Sequence, residues 1–462
     1  MNSKKDIKDI FEADSTFKGI LAMAIPTIIS QMITVLYNYA DTIFIGQLND
    51  PLQSAAIALA LPLTFLITAI ANFWGIGGGS MISRSLGEGN IKAAKHAAAF
   101  SFYGALILTM LCSVIAFAMG DAFDNMLGAS KEDFAFTDSY IFWMFTIGAL
   151  PSVLSQVLAH FVRSLGFAKE AGAGLTVGGL ANIVLDPIFI FPFGLNLGVA
   201  GAAIATMLSN GISLVYYIIL FFIHRKTWNV SFRVADALPT RKIAMPILSV
   251  GLPSALIPFL SAISNGVLNN LISTHGDTAV AAVGIAKKMD SLPANVAAGI
   301  TQGTLPLLAY SYGAGEHQKM RELLTITGVF AFAATAVVVI LLEIFAVPVS
   351  TLFIRDTETV RYATQFIRRL CLSVPLYAVT LTVNSFFQAA NRPGHSLAIS
   401  VLRKGILDLP LMVLFDSLFG VISIIWVQPI MDLITAAISL LVLTCFLKNT
   451  TERRQHEWKR SL

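Results

Sequence analysis

Charge is scarce in these 462 residues: Asp, Glu, Lys and Arg together make up 13%, about half of what a soluble domain carries. Cysteine is scarcer still. There are three, none in a Cys-x-x-Cys pair and none with a histidine nearby, which argues against a disulfide scaffold, a metal site or a redox centre. No His-Glu-x-x-His or Gly-x-Ser-x-Gly stretch marks an enzyme, and an enzymatic role is not expected. The glycine-rich turns lack the preceding strand and the Gly-Lys-Ser/Thr of a phosphate loop. A cleavable leader is not expected either: Lys4, Lys5 and Lys8 alternate with acids, and the first apolar run is too long for a signal core.

Apolar sequence is what the chain has. The hydrophobic fraction is 56%, the mean hydropathy +0.74, and the apolar residues fall in runs long enough to cross ~30 Å of hydrocarbon at about 1.5 Å per residue. A β-barrel would instead show short alternating segments. Twelve spans are expected, near 19–48, 53–76, 93–120, 136–160, 171–192, 198–223, 245–273, 278–305, 323–347, 364–388, 396–416 and 419–447. The fold class is therefore an all-α polytopic membrane protein.

The chain also repeats itself. Ser83-Arg84-Ser85-Leu86-Gly87-Glu88-Gly89 returns as Ala309-Tyr310-Ser311-Tyr312-Gly313-Ala314-Gly315, and Ala24-Ile25-Pro26 returns as Gly251-Leu252-Pro253. Gly198 likewise matches Gly420. An even number of spans per copy gives two six-helix lobes in parallel orientation, the organisation of a transporter. The expected division is an N-lobe over 1–223, a cytoplasmic linker over 224–244, a C-lobe over 245–447 and a cytoplasmic tail over 448–462.

Basic residues set the orientation. With both termini cytoplasmic, inner segments hold 24 Lys and Arg (Arg403 and Lys404 counted among them), and outer segments hold 5. The other 2 of the 31, Lys287 and Lys288, lie inside a span and are counted to neither side. This asymmetry puts the termini inside, and the net charge of +4 reflects topology, with no nucleic-acid partner implied.

Two acids stand alone in apolar surroundings. Asp41 is the only charge between Gly19 and Leu48, and Asp186 the only one between Ala171 and Ile223. A carboxylate costs a few kcal/mol at a span's centre, so each is expected to face a lobe interior or a wet cavity and to serve ion coupling; the plainer role is a hydrogen-bonded lock between helices. Gln31, Tyr37 and Asn38 add polar atoms near Asp41, and Asn182 lies one turn before Asp186. Pro26 and Pro187 each remove a helical donor and are candidate hinges. Further along, Lys287, Lys288 and Asp290 lie in span 8 and Asp432 in span 12. Lys287 and Asp290, three apart, are expected to neutralise each other in a structural salt bridge, with Asp432 as a further partner. Met32, Tyr37, Tyr140 and Met289, with Gln31 and Asn38, are candidates for a polyspecific cavity, since methionine and flat rings adapt to varied ligands.

These motifs together resemble the multidrug and toxic compound extrusion (MATE) family across essentially all twelve spans. The resemblance rests on Ile25-Pro26, on Tyr37-Asn38-Tyr39-Ala40-Asp41-Thr42-Ile43-Phe44-Ile45-Gly46, on Arg84-Ser85-Leu86-Gly87-Glu88-Gly89, on Asn182-Ile183-Val184-Leu185-Asp186-Pro187, on Gly198-Val199-Ala200-Gly201 and on Gln302-Gly303 before Pro306. It implies a secondary antiporter of a bacterial cytoplasmic membrane that exports cationic or amphipathic drugs in exchange for inward H⁺ or Na⁺. It also implies that Asp41, Asn182, Asp186 and Thr206 form the N-lobe coupling site. Other cofactors and structural metals are not expected; nothing suggests assembly beyond a monomer in the bilayer. Where the NorM-type branch has acids in spans 7 and 10, Ser261 and Leu381 stand here, as in the MepA-like and DinF-like branches. A lipid-linked oligosaccharide flippase of the same architecture is the alternative; it would favour a strongly cationic cavity.

Overall fold

The computed structural model describes residues 11, 15–238 and 240–461, with the side chains of 419, 421, 422 and 449–461 left aside. The described residues are helical and contain no strand. The expected tail 448–462 continues the last helix to Ser461, and most of the N-terminal segment lies outside the described residues.

Among the described residues, twelve long helical segments follow the apolar runs. They are α1 Thr16–Gly46, α2 Pro51–Gly87, α3 Ile91–Met119, α4 as the bent pair Phe134–Ile147 and Ala149–Ser164, α5 Ala168–Ile190 and α6 Gly198–Ile223. After them come α7 Arg241–Ser273, α8 Asp277–Gly313, α9 His317–Ile344, α10 Thr357–Ala389, α11 over 393–419 and α12 Val427–Ser461. Among the described residues nine are long and apolar enough to cross a membrane, and the bent α4 pair makes ten. The two that fall short are not short of length. They are α8, with Lys287, Lys288 and Asp290, and α11, with Arg403, Lys404 and Asp408. The outer faces suit lipid: α3 exposes Ile107, Met110, Leu111, Val114 and Phe117 at helical spacing.

Helix ends follow local chemistry. Asp50 caps α2, accepting from the Leu52 N–H at 3.0 Å ahead of Pro51 at the first position. Asn90 caps α3 through the Ala93 N–H at 3.0 Å. The bend of 41° in α4 falls after a π-helical turn over Phe142–Ile147, a common cause of kinks that apolar periodicity does not signal.

The chain forms two compact units interleaved in sequence. The first holds the residues up to Ile263 with Gln302–Leu323 and Gln388–Asn391; the second holds Ser264–Thr301, Leu324–Phe387 and the residues from Arg392 onward. In the first unit α2 continues eleven residues past the expected end at 76, because small side chains let its last turns bury themselves. Ser80 donates to the Gln388 carbonyl at 3.1 Å and Ser83 to the Ser164 carbonyl at 2.7 Å.

The repeated turns meet each other there. A Cβ at Gly87 would collide with the Tyr310 carbonyl oxygen, and one at Gly313 with the Arg84 carbonyl oxygen. Ten residues earlier in each helix, nearly three turns away, the same logic recurs: a Cβ at Gly77 would lie 2.5 Å from the Ile247 carbonyl oxygen, and one at Gly303 2.6 Å from that of Met23. Each copy of the repeat thus supplies the glycine that the other copy's backbone packs on.

Residues 224–238, expected as part of a plain linker, are docked on the first unit. Trp228 is 2% exposed, stacked between His224 and Phe167 and edge-on to Phe221. Tyr103 Oη donates to the Phe232 carbonyl at 2.9 Å, and His96 Nδ1 lies 2.9 Å from the Asp236 carbonyl oxygen.

Candidate functional site

The first unit brings the two isolated acids together. Asp186 on α5 is fully buried, Asn182 is 1% exposed one turn before it, and Asn182 Nδ2 donates to Asp186 Oδ1 at 3.1 Å. The same amide reaches Thr206 Oγ1 on α6 at 3.4 Å. Asp41 on α1 is half-buried and within hydrogen-bonding reach of both Asp186 and Asn182. Two helices are held close to make this possible. A Cβ at Gly172 would lie 2.7 Å from the Pro26 carbonyl oxygen, and one at Gly179 would lie 2.7 Å from Ile33 and 3.1 Å from the Tyr37 ring. Pro26 and Pro187 both sit inside unbroken helices.

The electrostatics of this cluster are one-sided. Asp41 Oδ1, Asp186 Oδ2 and Asn182 Oδ1 are all sealed from solvent, and none has a donor. No ion pair to either acid is found among the described residues, and the nearest titratable neighbours that feel them are Tyr37 and Tyr140. Unmet buried acceptors cost about 1–3 kcal/mol each, and more when charged. Three oxygens with no donor, two of them on carboxyl groups in contact, fit a proton or a small hard cation. No cluster of three or more His, Cys, Asp or Glu suited to a metal occurs among the described residues.

Of the cavity candidates, Tyr37 and Tyr140 stand beside the acids. Gln31 and Met32 are half-buried on α1, Asn38 is exposed, and Met289 is buried in the second unit at 5% exposure.

The second unit corrects the expected charge pairing. Lys287 and Asp290 form no direct salt bridge: Gln428 stands between them, its Oε1 accepting from Lys287 Nζ at 3.1 Å and its Nε2 donating to Asp290 at 3.0 and 3.1 Å. At the i,i+3 spacing the two side chains diverge enough for a third group to serve both. Asp432 pairs with Arg403 instead, Nε to Oδ1 at 2.8 Å, and accepts from Ser373 at 2.8 Å. The Arg403 guanidinium lies 3.8 Å over the Tyr377 ring, and Lys288 lies 5.9 Å from the Phe353 ring centroid. Arg403 and Lys404, counted above as cytoplasmic, lie inside α11 in a π-helical turn over Leu402–Leu407, with Arg403 8% exposed. Removing them leaves 22 inner basic residues, from the 24 in the sequence, against 5 outer ones. Lys404 Nζ meets Asp408 Oδ2 at 2.7 Å. The one sequence signal for this pair was its i,i+4 spacing; Gln428 and Ser373 gave none.

Comparison with known proteins agrees with this architecture. The family model described as MatE matches residues 26–188 and again 250–414, one match in each repeat. Among curated proteins the chain is 29% identical over 432 residues to the multidrug export protein MepA of Staphylococcus saprophyticus, covering 94% of each chain. It is 28% identical over 434 residues to MepA of Staphylococcus aureus, again over 94% of each. Among solved structures it is similar to one described as the outward-facing conformation of a multidrug resistance MATE family transporter of the MOP superfamily, with a TM-score of 0.90, 26% identity, and 96% of this chain and 98% of that one covered.

Proposed function

The chain belongs to the MatE family, and on that premise we propose that it exports cationic or amphipathic drugs from a bacterial cell in exchange for inward H⁺ or Na⁺. The observation that carries this reading is the donor-less cluster of Asp41, Asn182 and Asp186. Two touching carboxyl groups without a counter-charge favour uptake of a proton or a monovalent cation, with Thr206 Oγ1 and Asn182 Oδ1 as further ligands. The cation is cargo, and no other cofactor is part of the reading. The protein works as a monomer in the cytoplasmic membrane with both termini inside, as the excess of inner basic residues favours.

Coupling requires that cation and drug stabilise different states of one equilibrium. Neutralising the acids removes their repulsion and lets α1 close on α5. Pro26 gives α1 a place to bend, since it leaves the Ala22 carbonyl without its helical donor. Tyr37 and Tyr140, beside the acids, offer flat faces to an aromatic cation. The drug then leaves as the cation enters, and the two repeats alternate access. A pyrophosphate-carrying flippase would need uncompensated cations. Here Arg403 and Lys404 each hold a carboxylate, and Lys287 is tied to Asp290 through Gln428.

Membrane vesicles loaded with ethidium and energised separately with a sodium gradient or a pH gradient test the reading. Extrusion driven by one of them is expected. Extrusion that needs neither gradient and runs on ATP would overturn it.

A further inference from the structure

The repeat that builds the acid cluster of the first unit builds a polar cluster in the second, with one difference in kind. The 227-residue step from Pro26 to Pro253 carries Tyr37 to Ser264 and Asp41 to Leu268; the 222-residue step from Gly198 to Gly420 carries Thr206 to Gln428. Leu268 and Gln428 line one small cavity, and between them stands Asp408, the carboxylate of α11, the helix that repeats α5. The cavity is therefore the duplicate of the acid site: α7, α11 and α12 repeat α1, α5 and α6, and Val283 and Lys287 of α8 and Leu370 of α10 also line it. In it Asp408 is 1% exposed. Its Oδ2 accepts from Ser264 at 2.6 Å and from Lys404 Nζ at 2.7 Å, and Lys404 also approaches Ser264 Oγ at 3.5 Å.

We propose that this is a monovalent-cation site whose cation is built in: the Lys404 ammonium occupies, on Asp408 and Ser264, the role that an exchangeable cation plays among Asp41, Asn182 and Asp186. An ammonium and a sodium ion present the same unit charge to a carboxylate and a hydroxyl, but the lysine is tethered and cannot leave. The charges agree. The first cluster has two acids and no cation; the second has Asp290, Asp408 and Asp432 set against Lys287, Lys404 and Arg403. One acid fewer at the Asp41 position and one lysine more convert an exchanging site into a closed one. The comparison with the first cluster rests on the coupling reading above, while the assignment of Lys404 does not.

Chemical rescue tests it. Purified Lys404→Ala should melt below the wild type, and sodium or ethylammonium chloride should restore much of the lost midpoint, while choline, too bulky for the cavity, should not. Lys404→Arg should need no rescue, and Lys404→Ala/Asp408→Asn should show no cation dependence. If Lys404→Ala does not accumulate, Lys404→Gln takes its place with the same expectations. Sodium and ethylammonium acting no better than choline would overturn the assignment, as would equal rescue of the double variant. Repeating the titration with Asp186→Asn keeps the two readings apart: rescue should persist there, and a coupling reading that failed in transport would leave this melting result intact.

Discussion

Asn182 and Asp186, one helical turn apart on α5, share a hydrogen bond of 3.1 Å and each keep one buried oxygen with no donor. The Asn182 amide has two N–H donors and no charge, so it can hydrogen-bond its neighbours without neutralising either acid. With Asp41 alongside, two carboxyl groups share a site without a positive charge among the described residues, and that lack defines the cluster.

The reciprocal glycines predict an inverted substitution effect. Alanine is favoured over glycine by about 1 kcal/mol within a helix, and Gly211→Ala, with nothing within 4 Å of its Cβ, should be neutral or stabilising. Gly313→Ala should instead destabilise by about 1–3 kcal/mol, because its Cβ meets the Arg84 backbone. Thermal unfolding of the two variants in detergent makes the comparison.

The Arg403–Asp432 pair is buried, with side chains 9% and 1% exposed. Removing one partner of such a pair costs about 3–5 kcal/mol, whereas an apolar replacement of both costs far less. Arg403→Met is therefore expected to lower the melting midpoint strongly, and Arg403→Met/Asp432→Leu to recover part of the loss.

Outside the spans, Asp124 gives a pH signature. Burial, helped by the nearby Asp138 and Asp121, pushes its carboxyl up to about 6, above the ~3.9 of an unfolded chain. The folded state thus holds this proton more tightly, and the stability so gained is full below ~4 and lost as pH rises through about 6. The melting midpoint should fall over that window, and Asp124→Asn should flatten the fall.

Much of this was legible in the sequence, for reasons that differ by residue. Asp41 and Asp186 stood out because one charge in a long apolar run has few explanations, and the structure places them together. Gly87 and Gly313 were visible as a repeat, although their packing on each other's backbone needed coordinates. Arg403 and Lys404 were misplaced because they were grouped with the cytoplasmic Arg392, although both fall inside the expected span 396–416. Hydropathy sees such a charge and cannot see its partner, here Asp432 some 29 residues away. Gln428 was missed for the same reason: an amide between Lys287 and Asp290 comes from a helix about 140 residues on, and local spacing favoured a direct bridge.

Ethidium extrusion from cells lacking other exporters, expressing the wild type, Asp41→Asn or Asp186→Asn at matched membrane levels, tests the coupling site most directly. Extrusion falling to background in both variants, with folded protein in the membrane, is the expected result. Wild-type extrusion in both would contradict it and return Asp41 and Asp186 to the role of a structural lock.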